Sequence, residues 1–205
     1  MSMAAPNVLP RLIDERLGSD TTEMRGDHDL NPGWGYTSAP KRAAVLMPLV
    51  ERNGSLSLLL IHRATHLSAH GGQIAFPGGR IDPGESAEEA AVREAEEEVG
   101  IKPDQVRIAG RLQPYLTRTG YLIDPFVGWI REPYDFVANP DEVRSMFELP
   151  LSVALDAKCM HRETVTFEGK ERQFYSMTYD GHYIWGATAG ILVSLRKTLG
   201  VPCGS

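Results

Sequence analysis

Cysteine is nearly absent from this chain: Cys159 and Cys203 are the only two in 205 residues, and they lie far apart with no metal-ligand spacing. That excludes a disulfide framework and a cysteine-based zinc site, and reduced thiols suit a cytoplasmic setting. Long apolar runs are also missing. None approaches the roughly 20 residues of a transmembrane helix, and the N-terminus carries acids early in place of the apolar core of a signal peptide. Pro202-Cys203-Gly204-Ser205 matches no address signal. Positive charge is in deficit, with 21 Lys and Arg against 27 Asp and Glu, net −6. Such a balance fits neither a nucleic-acid backbone nor an anionic membrane as main partner. An anionic small molecule would need cations supplied locally. What remains, 42% hydrophobic and 23% charged residues, is ordinary for a folded protein. The length suits one domain with appendages and a sizeable core. The expectation is a cytoplasmic protein with a small-molecule partner, for which a homodimer is compatible.

Residues 6–18 space Val8, Leu9, Leu12, Ile13 and Leu17 on one helical face. A stretch rich in Gly, Pro, Asp and Asn, from about 18 to 40, reads as an extended arm. AAVLMPLV and SLSLLLIHR read as strands joined through Asn53-Gly54, a strong hairpin signal. A helix is expected next, opened by the Ser86/Glu89 capping-box pattern and closed by Gly100. VRIAGRL and LIDPFVGWI are strand candidates, and NPDEVRSMFELPLSVAL reads as a turn or strand leading into a helix. TVTFEG and RQFYSMTY form an expected hairpin around Gly169-Lys170, and Asp180-Gly181 closes another turn. A core helix is expected from about Trp185 to Leu199. The expected division is an N-terminal helix and arm over 1–40, a domain over 41–200 and a tail over 201–205. Strands with flanking helices point to an α/β/α sandwich around a mixed sheet.

The chemistry concentrates in GRIDPGESAEEAAVREAEEEVGI, residues 79–101. Positions i, i+3 and i+4 share a helical face, so Glu94, Glu97 and Glu98 are expected to converge. Crowded carboxylates are costly to ionise together, and a divalent cation removes that cost. Hard oxygen ligands suit Mg²⁺ or Mn²⁺, often shared with substrate phosphates. A solvated acidic helix face accounts for Glu88, Glu89 and Glu96, but not for Gly79, Glu85 and Arg93 at their offsets.

Those offsets resemble the Nudix box, Gly-x5-Glu-x7-Arg-Glu-U-x-Glu-Glu-x-Gly-U, where U is aliphatic or small. Gly79, Glu85, Arg93, Glu94, Glu97, Glu98 and Gly100 fill every fixed position, with Ala95 and Ile101 at the U positions. At an average usage of about 7% per residue type, seven matches amount to roughly a 10⁻⁸ accident per starting position. The resemblance implies a metal-dependent hydrolase of phosphoanhydrides. Glu94, Glu97 and Glu98 would hold the cation, Arg93 would brace Glu97 or reach back to Glu85, and Gly78 and Gly79 would let the backbone pass close to the site. The general base is Glu97 or, from a later loop, Glu142, with Asp141 beside it. All the box glutamates are present, which argues against a sensing module that binds without turnover.

The upstream segment LLLIHRATHLSAHGGQIAFPGG resembles a second signature, that of the coenzyme A pyrophosphatase branch of the family. Leu59 or Leu60, Arg63, Leu67, His70 and the run from Gly72 to Gly79 match it. Ile61, Ser68 and Gly71 depart, and Ser68 replaces an expected arginine. LTRTGYLIDPFVGWI, NPDEV and IWGATAGIL extend the likeness to about residues 42–196. It implies cleavage of coenzyme A or its derivatives to 3′,5′-ADP and 4′-phosphopantetheine. Arg63 and His70, with Gly78 and Gly79, are the candidate substrate-binding residues. ADP-ribose, a dinucleotide or a nucleoside triphosphate is the competing substrate. His62, His66 and His70 would need a helix to converge on zinc, and GGQIAFPGG makes a helix there improbable. Phe76 and Trp185 could stack on adenine, although such aromatics are more often core.

Overall fold

The computed structural model of the chain describes residues 8–17, 24–33, 39–66, 71–167 and 169–201. The elements in order are α1 (Val8–Arg16), β1 (Arg25–Gly26), β2 (Lys41–Arg52), β3 (Ser55–Arg63), β4 (Ile74–Ala75), β5 (Gly78–Arg80) and α2 (Ala87–Val99). They continue with β6 (Val106–Arg111), β7 (Tyr115–Leu116), β8 (Tyr121–Ile130), β9 (Val143–Pro150), α3 (Leu151–Ala154), β10 (His161–Phe167), β11 (Lys170–Tyr179), β12 (His182–Trp185) and α4 (Ala187–Thr198).

A nine-stranded mixed sheet runs β1-β7-β8-β2-β3-β4, with β5 on β2, β6 on β8 and β9 on β3. Its centre is the parallel pair β2 and β8, in register from Lys41↔Tyr121 to Leu49↔Trp129. Strands at such a position are buried on both faces, which accounts for the near-continuous apolar run of β2. Alternation then divides the core. Met47, Leu49, Leu58 and Leu60 pack with Ile13 and Leu17 of the α1 segment and with Ile191, Leu192 and Leu195 of α4. Ala44, Leu46, Leu59 and Ile61 face the other way, onto Ala90, Ala91, Ala95 and Val99 of α2. The result is the expected α/β/α arrangement.

Local expectations hold where local chemistry dictates them. Asn53 and Gly54 both take positive φ, 52° and 76°, as a two-residue hairpin requires. Ser86 and Glu89 form both bonds of the capping box, and Gly100 ends α2 at φ 74°. The second hairpin closes one residue earlier than expected, because Phe167 pairs with Lys170. Lys170 therefore belongs to β11, and Gly169, at φ 74°, takes the turn position. Within the expected arm, residues 24–33 are tied to the body of the protein. Arg25 and Gly26 pair in parallel with Tyr115 and Leu116. Asn31, buried, donates to the carbonyls of Asp27 (2.7 Å) and Gln173 (2.9 Å) and accepts from the Gln173 amide (2.8 Å). A buried amide so satisfied ties the arm to β11.

The strands β10-β11-β12 form a second, three-stranded sheet. A polar and aromatic joint docks it on the first. His62 Nε2 lies 2.8 Å from His182 Nδ1, and His182 stacks on Phe147 with ring centroids 3.8 Å apart. Burial, then His182 and Arg144, hold the His62 pKa below the ordinary histidine value. The unfolded chain thus takes up a proton there first, so the stability this joint contributes is lost as pH falls through about 6.5. The thermal-stability advantage of the wild type over a His62→Gln variant is expected to be largest above pH 7 and to shrink toward pH 5.5. A constant difference across that range would count against the assignment.

Candidate active site

Small side chains set the geometry of the site. Ala90, Ala91 and Ala95 are fully buried, so α2 lies close on β2 and β5 and delivers its acids to the edge of the sheet. Glu98 is 0% exposed. Its carboxylate accepts from Arg63 Nη1 at 2.8 Å and from the Gly78 amide at 2.9 Å. Glu94 lies against Gly79, where a Cβ would collide with its carboxylate. A Cβ on Gly78 would instead strike the backbone of Ala44 and Val45. The two glycines thus serve different ends: Gly78 admits the strand pairing, and Gly79 admits the acid.

Glu142 completes the group. The loop before β9 is latched to the end of α2 by Val137 N–H on the Val99 carbonyl (3.0 Å) and Asn139 N–H on the Glu98 carbonyl (2.9 Å). The Ala64 amide donates to the Glu142 carbonyl at 2.8 Å. One carboxylate oxygen from each of Glu94, Glu98 and Glu142 lies within 4.8 Å of the others. Burial pushes Glu98 up to about 7, with Glu94 and Glu142 adding to the rise against the Gly78 amide and Arg63. Burial also raises Glu94. Three hard oxygen donors that resist joint ionisation fit a divalent cation.

Glu97 is placed apart from this group. It is half-exposed and accepts from Arg93 Nη1 at 3.0 Å, four residues back on the helix. Arg93 reaches Glu85 through Nε (2.8 Å) and Nη2 (3.1 Å), Glu94 through Nη1 (3.0 Å), and the Arg80 carbonyl through Nη2 (3.2 Å). It is a brace linking the loop before α2 to two turns of the helix. Its bond holds Glu85 below the usual carboxylate range, and Glu85 in turn keeps Arg93 protonated. Asp141 is exposed and is not one of the three clustered acids.

Arg63, expected as a substrate contact, is engaged with Glu98 and also lines the adjoining cavity. No motif announces that pairing, which depends on β3 meeting the far end of α2 across the sheet. Ser68 and His70 lie outside the described residues. His62 faces His182 rather than His66. Phe76 is core, 2% exposed, whereas Trp185 lines the cavity and meets Phe174 edge-on at 5.6 Å. The cavity, about 550 Å³, opens from Gly78, Gly79 and Glu94 toward Tyr121, Arg172 and Trp185. Among the described residues no helix is long and apolar enough to cross a membrane.

The NUDIX domain model matches residues 40–165. Proteins described as the uncharacterized Nudix hydrolase NudL, from Yersinia pestis (strain Pestoides F) and Yersinia pseudotuberculosis (serotype O:1b, strain IP 31758), are 38% identical over 176 residues. The match covers 85% of this chain and 88% of theirs. Among solved structures, a MutT/nudix family protein from Enterococcus faecalis has a TM-score of 0.51 at 17% identity, over 97% of this chain and 76% of that one. An Ap4A hydrolase from C. elegans has a TM-score of 0.48 at 23% identity, over 54% and 80%. The first of these likenesses concerns the fold alone. With the box laid out from β5 through α2 to Gly100 and the family shown by both the domain match and the relatives, the chain belongs to the Nudix family and is a pyrophosphohydrolase, of a kind that uses divalent cations and acts on nucleotide diphosphate compounds.

Proposed function

We propose that the substrate is coenzyme A or one of its derivatives, cleaved at the pyrophosphate to 3′,5′-ADP and 4′-phosphopantetheine. The observation that carries this reading is the run from Arg63 to Gly79. It bears the coenzyme A branch signature in sequence, and in the fold its described residues form β4, β5 and one wall of the cavity beside Glu94. Glu94, Glu98 and Glu142 are the residues that would hold Mg²⁺ or Mn²⁺. A divalent cation held there would supply charge neutralisation for the bridging phosphates and would lower the pKa of an attacking water. The protein's own part is positional. Arg63 and the Gly78 amide fix the Glu98 carboxylate, Arg93 fixes Glu94 and Glu97, and Gly79 keeps the approach to Glu94 open. Glu97, half-exposed beside Glu94, and Glu142 are the two candidates for accepting the proton of the water.

The test is product analysis by mass spectrometry after incubation with Mg²⁺ or Mn²⁺ and a panel of coenzyme A, ADP-ribose, NADH and dNTPs. Coenzyme A is expected to be the best substrate, and excess EDTA is expected to abolish turnover. Faster hydrolysis of ADP-ribose than of coenzyme A would remove the substrate assignment and leave the pyrophosphohydrolase. Full activity in EDTA would remove the cation assignment.

A further inference from the structure

The cavity beside the acidic group has two halves of different origin. One belongs to the stretch that matches the shared domain, residues 40–165. The other is supplied by Asp27 of the arm and by Arg172, Trp185, Gly186, Ala187 and Ile191 from β11, β12 and α4, all outside that stretch. Arg172 is the cation of this second half. Its side chain is 19% exposed and its nearest acid is Asp27, with Nη2 3.4 Å from Oδ2. That carboxylate already accepts from the Tyr115 hydroxyl at 2.9 Å and from the Arg118 amide at 2.8 Å. The Nε–H of Arg172 is buried with no hydrogen-bond partner among the described residues. A guanidinium offers five donors in a planar fork, and a buried donor left unmade is costly. The planar fork and fixed charge of arginine match a phosphate.

We infer that Arg172 is a specificity-determining residue that binds a second phosphate of the substrate, one separate from the pyrophosphate held at the acidic group. The half-buried Trp185 indole, which lines the same cavity, offers a face for the base. The ligand class is a nucleoside carrying a 5′-diphosphate ester and a further phosphate on its ribose. This rests on the coenzyme A reading for the position of that phosphate. It goes beyond it by placing the discrimination in β11, outside the shared domain, where Asp27 holds the guanidinium and the arm and α4 enclose it.

The experiment is calorimetric binding of adenosine 3′,5′-bisphosphate and of AMP in EDTA, which reads recognition without turnover. Wild-type protein is expected to prefer the bisphosphate by about ten- to a hundredfold. Arg172→Ala should bring that ratio near one while changing AMP affinity less than about threefold, and Arg172→Lys should retain part of it. If Arg172→Ala does not fold, Arg172→Gln removes the charge while keeping a donor for Asp27, and the same loss of ratio is expected. A wild-type ratio near one, or a ratio unchanged in the Ala and Gln variants, overturns the inference. The two readings fail separately. Hydrolysis of ADP-ribose in preference to coenzyme A, with the binding ratio behaving as expected, removes only the substrate assignment. Hydrolysis of coenzyme A with an unaltered ratio removes only the role of Arg172.

Discussion

Glu98→Gln is expected to lower kcat by about three orders of magnitude and, in metal-free buffer, to raise the melting temperature. The two effects have one cause. Glu98 has no exposed surface, and burial pushes its carboxyl up to about 7. The unfolded chain ionises this group near its ordinary value, so the native state loses stability as pH rises from about 4.5 to 7. Glutamine resembles the neutral acid and carries no such penalty. The variant's advantage in EDTA should therefore be small near pH 5, grow up to pH 7 and level off above it. A shift of this size corresponds to a gain on the order of 3 kcal/mol, or roughly 6–12 °C in a chain of this length. Adding Mg²⁺ or Mn²⁺ should reverse the ranking, because binding to the native state stabilises the wild type by mass action. The loss in kcat follows from removing one charged oxygen donor where several kcal/mol of transition-state stabilisation are concentrated. Thermal melts with and without metal at several pH values check the first part and steady-state kinetics the second. A variant destabilised in EDTA at pH 8, or one with near wild-type turnover, would refute the account. In the same assays, the larger pH-independent loss of kcat between Glu97→Gln and Glu142→Gln marks the general base.

Gly79→Ala should separate activity from folding, and Gly78→Ala should not. The three atoms nearest a Cβ added at Gly79 all belong to the carboxylate of Glu94, the far end of a flexible chain that can swing away at little cost. Swinging away takes it from Glu98 and Glu142, so turnover is expected to fall by a hundredfold or more, with stability changed by less than about 1 kcal/mol. The Cβ at Gly78 meets the Ala44 carbonyl and the Val45 backbone, where β5 pairs with β2 through Val45↔Gly78. That strand cannot yield without breaking its ladder, so a loss of about 3 kcal/mol or more is expected. Melting curves beside kinetics for the two variants test the contrast. Equal stability losses at the two positions would show that Gly79 serves packing rather than the acid.

What was legible in the sequence is whatever one segment decides for itself. The capping box at Ser86 and Glu89, the left-handed end of α2 at Gly100 and the Asn53-Gly54 turn are each settled by a few neighbouring residues. The reach of Arg93 back to Glu85 follows from helical spacing and a short loop. Helical periodicity alone, however, groups Glu97 with Glu94 and Glu98. It cannot register that Arg93, one turn earlier, takes Glu97 toward solvent while Glu98 turns under the sheet.

The rest was decided by tertiary structure. Glu142 reaches Glu94 and Glu98 across more than forty residues because its loop is latched to the Glu98 and Val99 carbonyls and to Ala64. Arg63 meets Glu98 because of the register of β3, which no local pattern encodes. The docking of the second sheet on the first, the docking of the arm through Asn31 and the half of the cavity that contains Arg172 depend on contacts between residues more than a hundred positions apart. Periodicity and capping report on hydrogen bonds and burial within a few residues. The partner of a buried charge and the far wall of a cavity are fixed only when distant strands pair and exclude water, and that is a property of the packed chain.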